Sequence, residues 1–240
     1  MVEANQEIPQ RVLVVTPHPD DAEFWCGGSL AHWISRGADV HYVLCTDGGN
    51  GTTDANVTSK ELSVVREQEQ RNAARVLGVA EVVSLHHPDG ELEDTRDFRK
   101  EIVRQIRLVR PDVVLCPEPY RRNLAWHRDH RITGQVTLDA VFPAARDHLN
   151  FVELWRDEGL EPHKTATVLF WGTELADTFV DISDAMDTKV EAVMAHRSQL
   201  GDRSESEVRG FVEERARDAG KAADEPYQLA EAFRKVTFRT

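Results

Sequence analysis

The sequence predicts an α/β fold: a doubly wound, mostly parallel β-sheet flanked by helices, with an irregular C-terminal part covering the site. Three observations carry that expectation. Four short apolar runs, at residues 11–16, 40–45, 81–85 and 113–116, are continuous rather than alternating, as buried parallel strands are. Each is followed by a segment with helical periodicity, and strand–helix units in succession build a parallel sheet. Clusters of histidine and aspartate follow the first and the fourth run. If the strand order is 3-2-1-4 and onward, the two clusters meet at the switch point. Rossmann-like sheets bind ligands there, outside the carboxyl ends of their strands.

The elements follow in order. Arg11 to Thr16 is a buried strand rich in Val, and the charged loop Thr16-Pro17-His18-Pro19-Asp20-Asp21-Ala22-Glu23 comes next. Gly28 to Arg36 reads as a helix stopped by Gly37. Val40 to Cys45 is a second strand, followed by a glycine-rich loop from Thr46 to Thr53. Residues 59–77 form a helix ending at Gly78, with Leu62, Val65, Ala73, Val76 and Leu77 on its apolar side. Arg66 and Glu69 interrupt that stripe. They are three apart and able to pair as a solvated salt bridge, or Arg66 points at the mouth of a site.

Glu81 to Leu85 is the third strand, and His86 to Gly90 is a turn. Phe98, Ile102, Ile106 and Val109 give the next helix an apolar face. Val113 to Cys116 is the fourth strand. A proline-stiffened loop then leads to Trp126-His127-Arg128-Asp129-His130-Arg131 and a helix running to about Phe142. Val168 to Trp171 and Phe179 to Ile182 read as further strands, and Ser183 as the cap of a helix through Met186, Val190, Val193 and Met194. Residues 201–225 are strongly charged, a solvated helix or mobile segment, and Tyr227 to Phe233 returns to core-like composition. With no repeat or low-complexity linker, the expectation is a single domain over 1–240, with its core at 11–200 and a charged helical segment at 201–240.

Composition narrows the partners. Hydrophobic residues make up 40% of the 240, enough for a sizeable core. The net charge of −13 repels phosphate, which argues against nucleic acid and anionic membrane and leaves a small molecule as ligand. A homo-oligomer is compatible with everything read here. No run is long enough to span a bilayer, and Met1 to Glu7 lacks the basic and apolar regions of a signal peptide. Cys26, Cys45 and Cys116 are odd in number and sit by strand ends, which fits buried thiols and a cytoplasmic location.

The chemistry concentrates at residues 18–23, where one imidazole and three carboxylates directly follow a core strand. Such charge density is costly unless a divalent cation compensates it, the plain alternative being a polar turn. A catalytic zinc takes about three ligands from histidine and carboxylate and keeps a position open for water. His18 and Asp21 share one tight loop, and His127 or His130 supplies a third ligand. The other histidine is left for the substrate, and Asp20 for the proton of a water acidified toward pKa ~7. Two histidines and a carboxylate also make the facial triad of non-haem iron enzymes. A non-catalytic zinc protein is a further alternative. A nucleotide-binding module is disfavoured, because Gly27-Gly28 and Gly48-Gly49-Asn50-Gly51 lack the Gly-x-Gly-x-x-Gly spacing.

At these residues the sequence resembles a known family. His18-Pro19-Asp20-Asp21, followed by Glu23 and Gly27-Gly28, resembles the signature of the PIG-L/LmbE-like N-acetylglucosamine deacetylases. His127-Arg128-Asp129-His130 is similar to the family's second motif, and Arg66, Glu69, Ala73 and Leu77-Gly78 to its intervening helix. Asp89-Gly90-Glu91-Leu92 and His196-Arg197-Ser198-Gln199 are similar to further family patterns. The resemblance spans roughly residues 11–200.

It implies a zinc-dependent hydrolase that removes an acetyl group from an N-acetylglucosamine-type substrate, as relatives do in bacillithiol and mycothiol pathways and on diacetylchitobiose. An amidase acting on a thiol-glycoside conjugate is the neighbouring alternative. The implied metal, Zn2+ or in the cell Fe2+ or another divalent ion, sits on His18, Asp21 and His130. Asp20 is implied as general base. His127 is implied to protonate the leaving amine or polarise the acyl oxygen, with Asp129 orienting its ring. Arg66 and Asp89 are implied as substrate contacts.

The sequence departs from the family pattern twice. Arg128 stands where the second motif often has Pro, and Ala125 and Trp126 stand where some members carry a Tyr that helps hold the oxyanion. The extra oxyanion donor is therefore unassigned. Glu23 is expected to cap the following helix. Trp25 and Trp126 are read as sugar-stacking or packing residues, and His86 and His87 as pocket lining or surface.

Overall fold

The computed structural model describes residues 8–123 and 125–239. Strands β1 (Arg11–Thr16), β2 (Asp39–Thr46), β3 (Glu81–His87), β4 (Val113–Pro117) and β5 (Thr167–Trp171) run parallel. Strand β7 (Ala230–Thr237) is antiparallel to β5 and to β6 (Thr178–Asp181). The sheet order is β3-β2-β1-β4-β5-β7-β6, so the expected switch between β1 and β4 is present. Helices α1 (Asp21–Ile34), α2 (Ser59–Leu77), α6 (Met186–Met194), α7 (Arg197–Leu200) and α8 (Glu205–Ala222) accompany it, as do α3 (Arg96–Val109), α4 (Arg128–Asp139) and the short α5 (Val152–Arg156).

The continuous apolar strands are explained by two cores. Val12 and Val14 of β1 belong to one cluster, with residues of α1, α6 and α8. Leu13 and Val15 belong to the other, with residues of α3 and α4. Successive side chains point to opposite faces, so a strand covered on both sides must be apolar at every position. At the C-terminal ends of β1 and β4, α1 departs over one face and α4 over the other. Among the described residues no helix is long and apolar enough to cross a membrane.

Several expectations shift. α1 begins at Asp21 rather than near Gly28, so Asp21 and Glu23 sit in the helix's first turn. β3 runs through His86 and His87, which were expected to form a turn. α4 ends at Asp139 and a wider turn continues to Ala144, because Phe142 is extended (φ −140, ψ 116). Ser183 does not cap α6: its N–H and hydroxyl donate to Asp181, and the helix is preceded by Ala185. Residues 201–240 are not only a charged helical segment. Val208, Val212, Ala216 and Gly220 bury one stripe of α8, and β7 then enters the sheet between β5 and β6. Glu231 stands inside that strand and breaks its apolar signal, yet it is buried, paired with Lys189 and accepting the N–H groups of Gly28 and Ser29.

Gly134 lets α4 lie against the end of β4: a Cβ there would stand 2.2 Å from the Pro117 carbonyl oxygen. A backbone atom cannot rotate away, so Gly134→Ala should destabilise the protein by about 1–3 kcal/mol in urea unfolding. Gly210, with nothing within 4 Å of a built Cβ, is the control. Gly210→Ala should be neutral or stabilise by up to about 1 kcal/mol.

Candidate metal centre

The motif loop leaves β1 and turns sharply into α1. Asp20 precedes the helix at φ 95, ψ −32, in the half of backbone space that favours glycine. Strain of this kind costs about 1–3 kcal/mol and persists only where the surroundings impose it. Aspartate at such a position ordinarily turns its carboxylate onto a helix N–H, but here the side chain makes no cap bond. The carboxylate is thus free of the helix. Burial and the charge of Asp21 push the Asp20 carboxyl up to about 7, with Arg66, His196 and His18 pulling the other way.

His18 stands at the middle of the site. Its Nδ1 lies 3.1 Å from Asp21 Oδ2, and its Nε2 lies 3.1 Å from Asp129 Oδ2 and 3.2 Å from Asp89 Oδ1. The same Asp21 oxygen is 3.2 Å from His130 Nε2. Burial opposes a charge on His18, but the hydrogen bonds to Asp129, Asp21 and Asp89 outweigh it and push the ring up to about 11. Burial also opposes ionisation of Asp21, and the two histidines hold its carboxyl well below the usual range. Asp89 and Asp129 are likewise lowered, against burial, by His18 and by the N–H groups of Asn50 and Gly90 respectively. The centre is therefore a buried surplus of negative charge.

A divalent cation fits this socket. Ligand atoms of His18, Asp21 and His130 lie within 4.8 Å of one another. The contacts at 3.1 and 3.2 Å are close to the edge of about 3.3 Å that tetrahedral zinc–nitrogen and zinc–oxygen bonds imply. The far nitrogen of His18 rests on carboxylates, as the outer nitrogen of a metal-binding imidazole usually does. His130 Nδ1 is buried without a hydrogen-bond partner among the described residues. A second group, His18, Asp89, His127 and Asp129, also offers closely spaced ligand atoms. Its carboxylates are already occupied, however: Asp129 accepts the N–H groups of Gly90 and Leu92, and Asp89 that of Asn50.

His127 is exposed at the mouth, its ring 4.7 Å from that of His18. The expected orienting group, Asp129, does hold this ring, but through its backbone: the Asp129 N–H donates to His127 Nδ1 at 3.1 Å, while the carboxylate serves His18. That bond assigns the neutral tautomer with its proton on Nε2. Burial and the neighbouring His18 lower the His127 pKa.

Arg66 is 4% exposed. It donates to the carbonyls of Gly48 and Pro19 and reaches Asp20 Oδ2 at 3.4 Å. Its Nε is buried without a hydrogen-bond partner among the described residues. No Arg66–Glu69 ion pair forms among the described residues; Glu69 instead accepts the N–H and hydroxyl of Ser198.

The glycine-rich loop wraps this guanidinium rather than a phosphate. Its amides at Gly48, Gly49, Asn50 and Gly51 are all bonded within the chain. Trp126 packs its edge on His130 and donates Nε1–H to Glu118, and Trp25 packs on Trp126. Arg121 and Arg215 cover the faces of Trp126 and Trp25. His87 pairs with Glu101 and His86 is exposed.

Glu23 does not cap α1; it is fully buried and paired with His196 and Gln70. Gln70 was not singled out from the sequence. Its signal was available: it lies four residues after Arg66, on the same buried stripe of α2.

Sheet, crevice and donors define an α/β protein with a two-histidine, one-carboxylate set at the switch point. The family model PIG-L, GlcNAc-PI de-N-acetylase, matches residues 13–141, and the chain belongs to that family. Diacetylchitobiose deacetylase of Thermococcus kodakarensis is 42% identical over 80% of this chain and 70% of its own length. A 1D-myo-inositol 2-acetamido-2-deoxy-alpha-D-glucopyranoside deacetylase of a Mycobacterium species is 26% identical over 81% of this chain and 75% of its own. The solved N,N'-diacetylchitobiose deacetylase of Pyrococcus horikoshii superposes with a TM-score of 0.87 at 32% identity, covering 95% of this chain and 84% of that one.

The donor set makes a direct expectation. His130→Ala should lower bound zinc, measured by elemental analysis after dialysis against a weak chelator, at least about tenfold in affinity. His127→Ala should retain it. Equal retention by both variants would overturn the ligand set His18, Asp21 and His130.

Proposed function

We propose that the protein is a metal-dependent hydrolase that removes the acetyl group from an N-acetylglucosamine-type substrate, with His18, Asp21 and His130 holding zinc. The observation that carries the reading is the close set of His18, Asp21 and His130 donors with a half-buried Asp20 carboxylate, free of the helix, in the same turn. The identity to diacetylchitobiose deacetylase supports a glucosaminide as the substrate class. Zinc at this site supplies a polarised acyl oxygen and an acidified water.

The chain's own residues do the rest. Asp20 takes the water's proton as the water oxygen bonds to the acyl carbon. The His127 Nε2–H faces the oxygen that gains charge. The carbon–nitrogen bond then breaks and Asp20 returns the proton to the leaving nitrogen, giving acetate and a free amine. In this assignment His127 is a hydrogen-bond donor rather than the acid, because its Nδ1 already accepts the Asp129 N–H. It fills the place of the oxyanion donor that Ala125 and Trp126 cannot supply. Arg66 and Asp89 are the proposed sugar contacts.

Asp20→Asn should keep zinc but lose about 10²–10⁴-fold in kcat, read as acetate release from N-acetylglucosamine and diacetylchitobiose. Near-normal turnover would remove Asp20 from the base role. With its carboxyl raised to about 7, activity should fall as pH falls through that range, since the protonated acid cannot accept a proton. His127 separates the two chemical roles. His127→Ala should cost about 10²–10³-fold in kcat, whereas His127→Gln, which keeps an N–H donor, should lose much less; equal losses would favour an acid role.

A further inference from the structure

We propose that Gln70 is a positioning residue: it holds the backbone of Asp20 in the turned conformation that keeps its carboxylate off the helix and free to take a proton. The inference rests on the hydrolytic reading above and names a residue which that reading does not use.

The Gln70 side chain is fully buried. Its Oε1 accepts the Asp20 N–H at 3.1 Å, and its Nε2 donates to Glu23 Oε1 at 3.0 Å. The amide cannot be reversed, because an N–H needs an acceptor and a carboxylate can only accept when ionised. The other Glu23 oxygen meets His196 Nε2 at 3.2 Å, and both of these side chains are fully buried. Next to His196, Ser198 is tied to Glu69 of the same helix. Arg66, Glu69 and Gln70 thus form one polar stripe on α2 that grips three segments: the motif loop, the start of α7 and the first turn of α1. The buried Glu23–His196 pair and the His196–Gln199 motif acquire a purpose as the anchor of that grip.

The alternative conformation of Asp20 is well defined. Without an acceptor for its N–H, only the Arg66 bonds to the Pro19 carbonyl and to Asp20 Oδ2 oppose relaxation to ordinary φ, where the carboxylate caps the amides of α1 as N-terminal aspartates usually do. A capping carboxylate is withdrawn from the water. Capping and proton transfer compete for one side chain, and Gln70 decides between them.

The experiment compares the zinc-loaded wild type with Gln70→Met, which keeps volume but removes both hydrogen bonds. A second variant is the exchange Glu23→Gln with Gln70→Glu, which restores every donor and acceptor at constant charge. Gln70→Met is expected to lose about 10- to 100-fold in kcat, as a displaced catalytic group does, with KM and zinc content unchanged; the exchange recovers most of the loss. A kcat within threefold of wild type, or a loss shared with KM or zinc content, overturns the proposal. If Gln70→Met does not fold, the exchange decides: folded and within tenfold of wild type supports the proposal, whereas slow or unfolded overturns it. If the wild type itself releases no acetate, the hydrolytic reading has failed, and hydrogen exchange at the Asp20 amide reads the lock directly. Slow exchange in the wild type that becomes fast in the variant upholds it, and equal exchange overturns it.

Discussion

Three carboxylates, those of Asp21, Asp89 and Asp129, meet one imidazole where β1 ends, and the carboxylate of Asp20 stands in the same turn. In a chain of net charge −13 the rest of the fold adds to that repulsion rather than relieving it. Burying such charge is unfavourable unless each group is paired or bonded, and the surrounding structure supplies partners of three kinds. Backbone N–H groups of Gly90, Leu92 and Asn50 face Asp129 and Asp89. The ring of His18 is shared by three of the carboxylates. The guanidinium of Arg66 stands behind Asp20. A divalent cation held by His18, Asp21 and His130 would complete the balance.

This constraint explains features that look unrelated in the sequence. The glycine-rich loop after β2 must pass tightly around Arg66: a Cβ on Gly51 would stand 2.4 Å from the guanidinium. Helix α2 must present polar residues on its buried face, so it is held by a capping box at Thr58 and Glu61 and stopped by Gly78 in the left-handed conformation. The stripe Arg66, Glu69 and Gln70 would be unfavourable against an apolar core. Arg66 and Gln70 find partners in the carboxylate-rich loop, and Glu69 finds Ser198 of α7.

The parallel core was legible because its signals are local. Runs covered on both faces must be apolar throughout, and glycines and prolines mark the joints. The two histidine–aspartate motifs were legible by their spacing, and the switch between β1 and β4 follows from strand–helix alternation. What stayed hidden depends on partners distant in sequence. Glu231 makes β7 look unlike a strand until Lys189 and the N–H groups of α1 are placed against it. Asp129 reads as the partner of His127, two residues away, but its carboxylate crosses 111 residues of sequence to reach His18. Gln70 shows itself only by its place four residues after Arg66, and His196 only by a motif of unassigned purpose; the positions of Asp20 and Glu23 give both their meaning.

The adjacent pair Asp20-Asp21 shows how one residue type can be given two tasks. The two side chains share a sequence context, so the difference must come from the backbone. Asp21 lies in the first turn of α1 with two imidazoles against it, and its carboxyl is held low. Asp20, one residue earlier, has its peptide reversed, is half-buried with no histidine contact among the described residues and feels the charge of Asp21, and its carboxyl rises to about 7. Environments that drive neighbouring acids apart in this way separate a permanent anion, suited to a cation, from a group able to take and return a proton near neutrality. In the proposed mechanism the positive φ of Asp20 is thus a division of labour written into the backbone, and the hydrogen bond from its N–H to Gln70 belongs to the site as fully as the proposed ligands do.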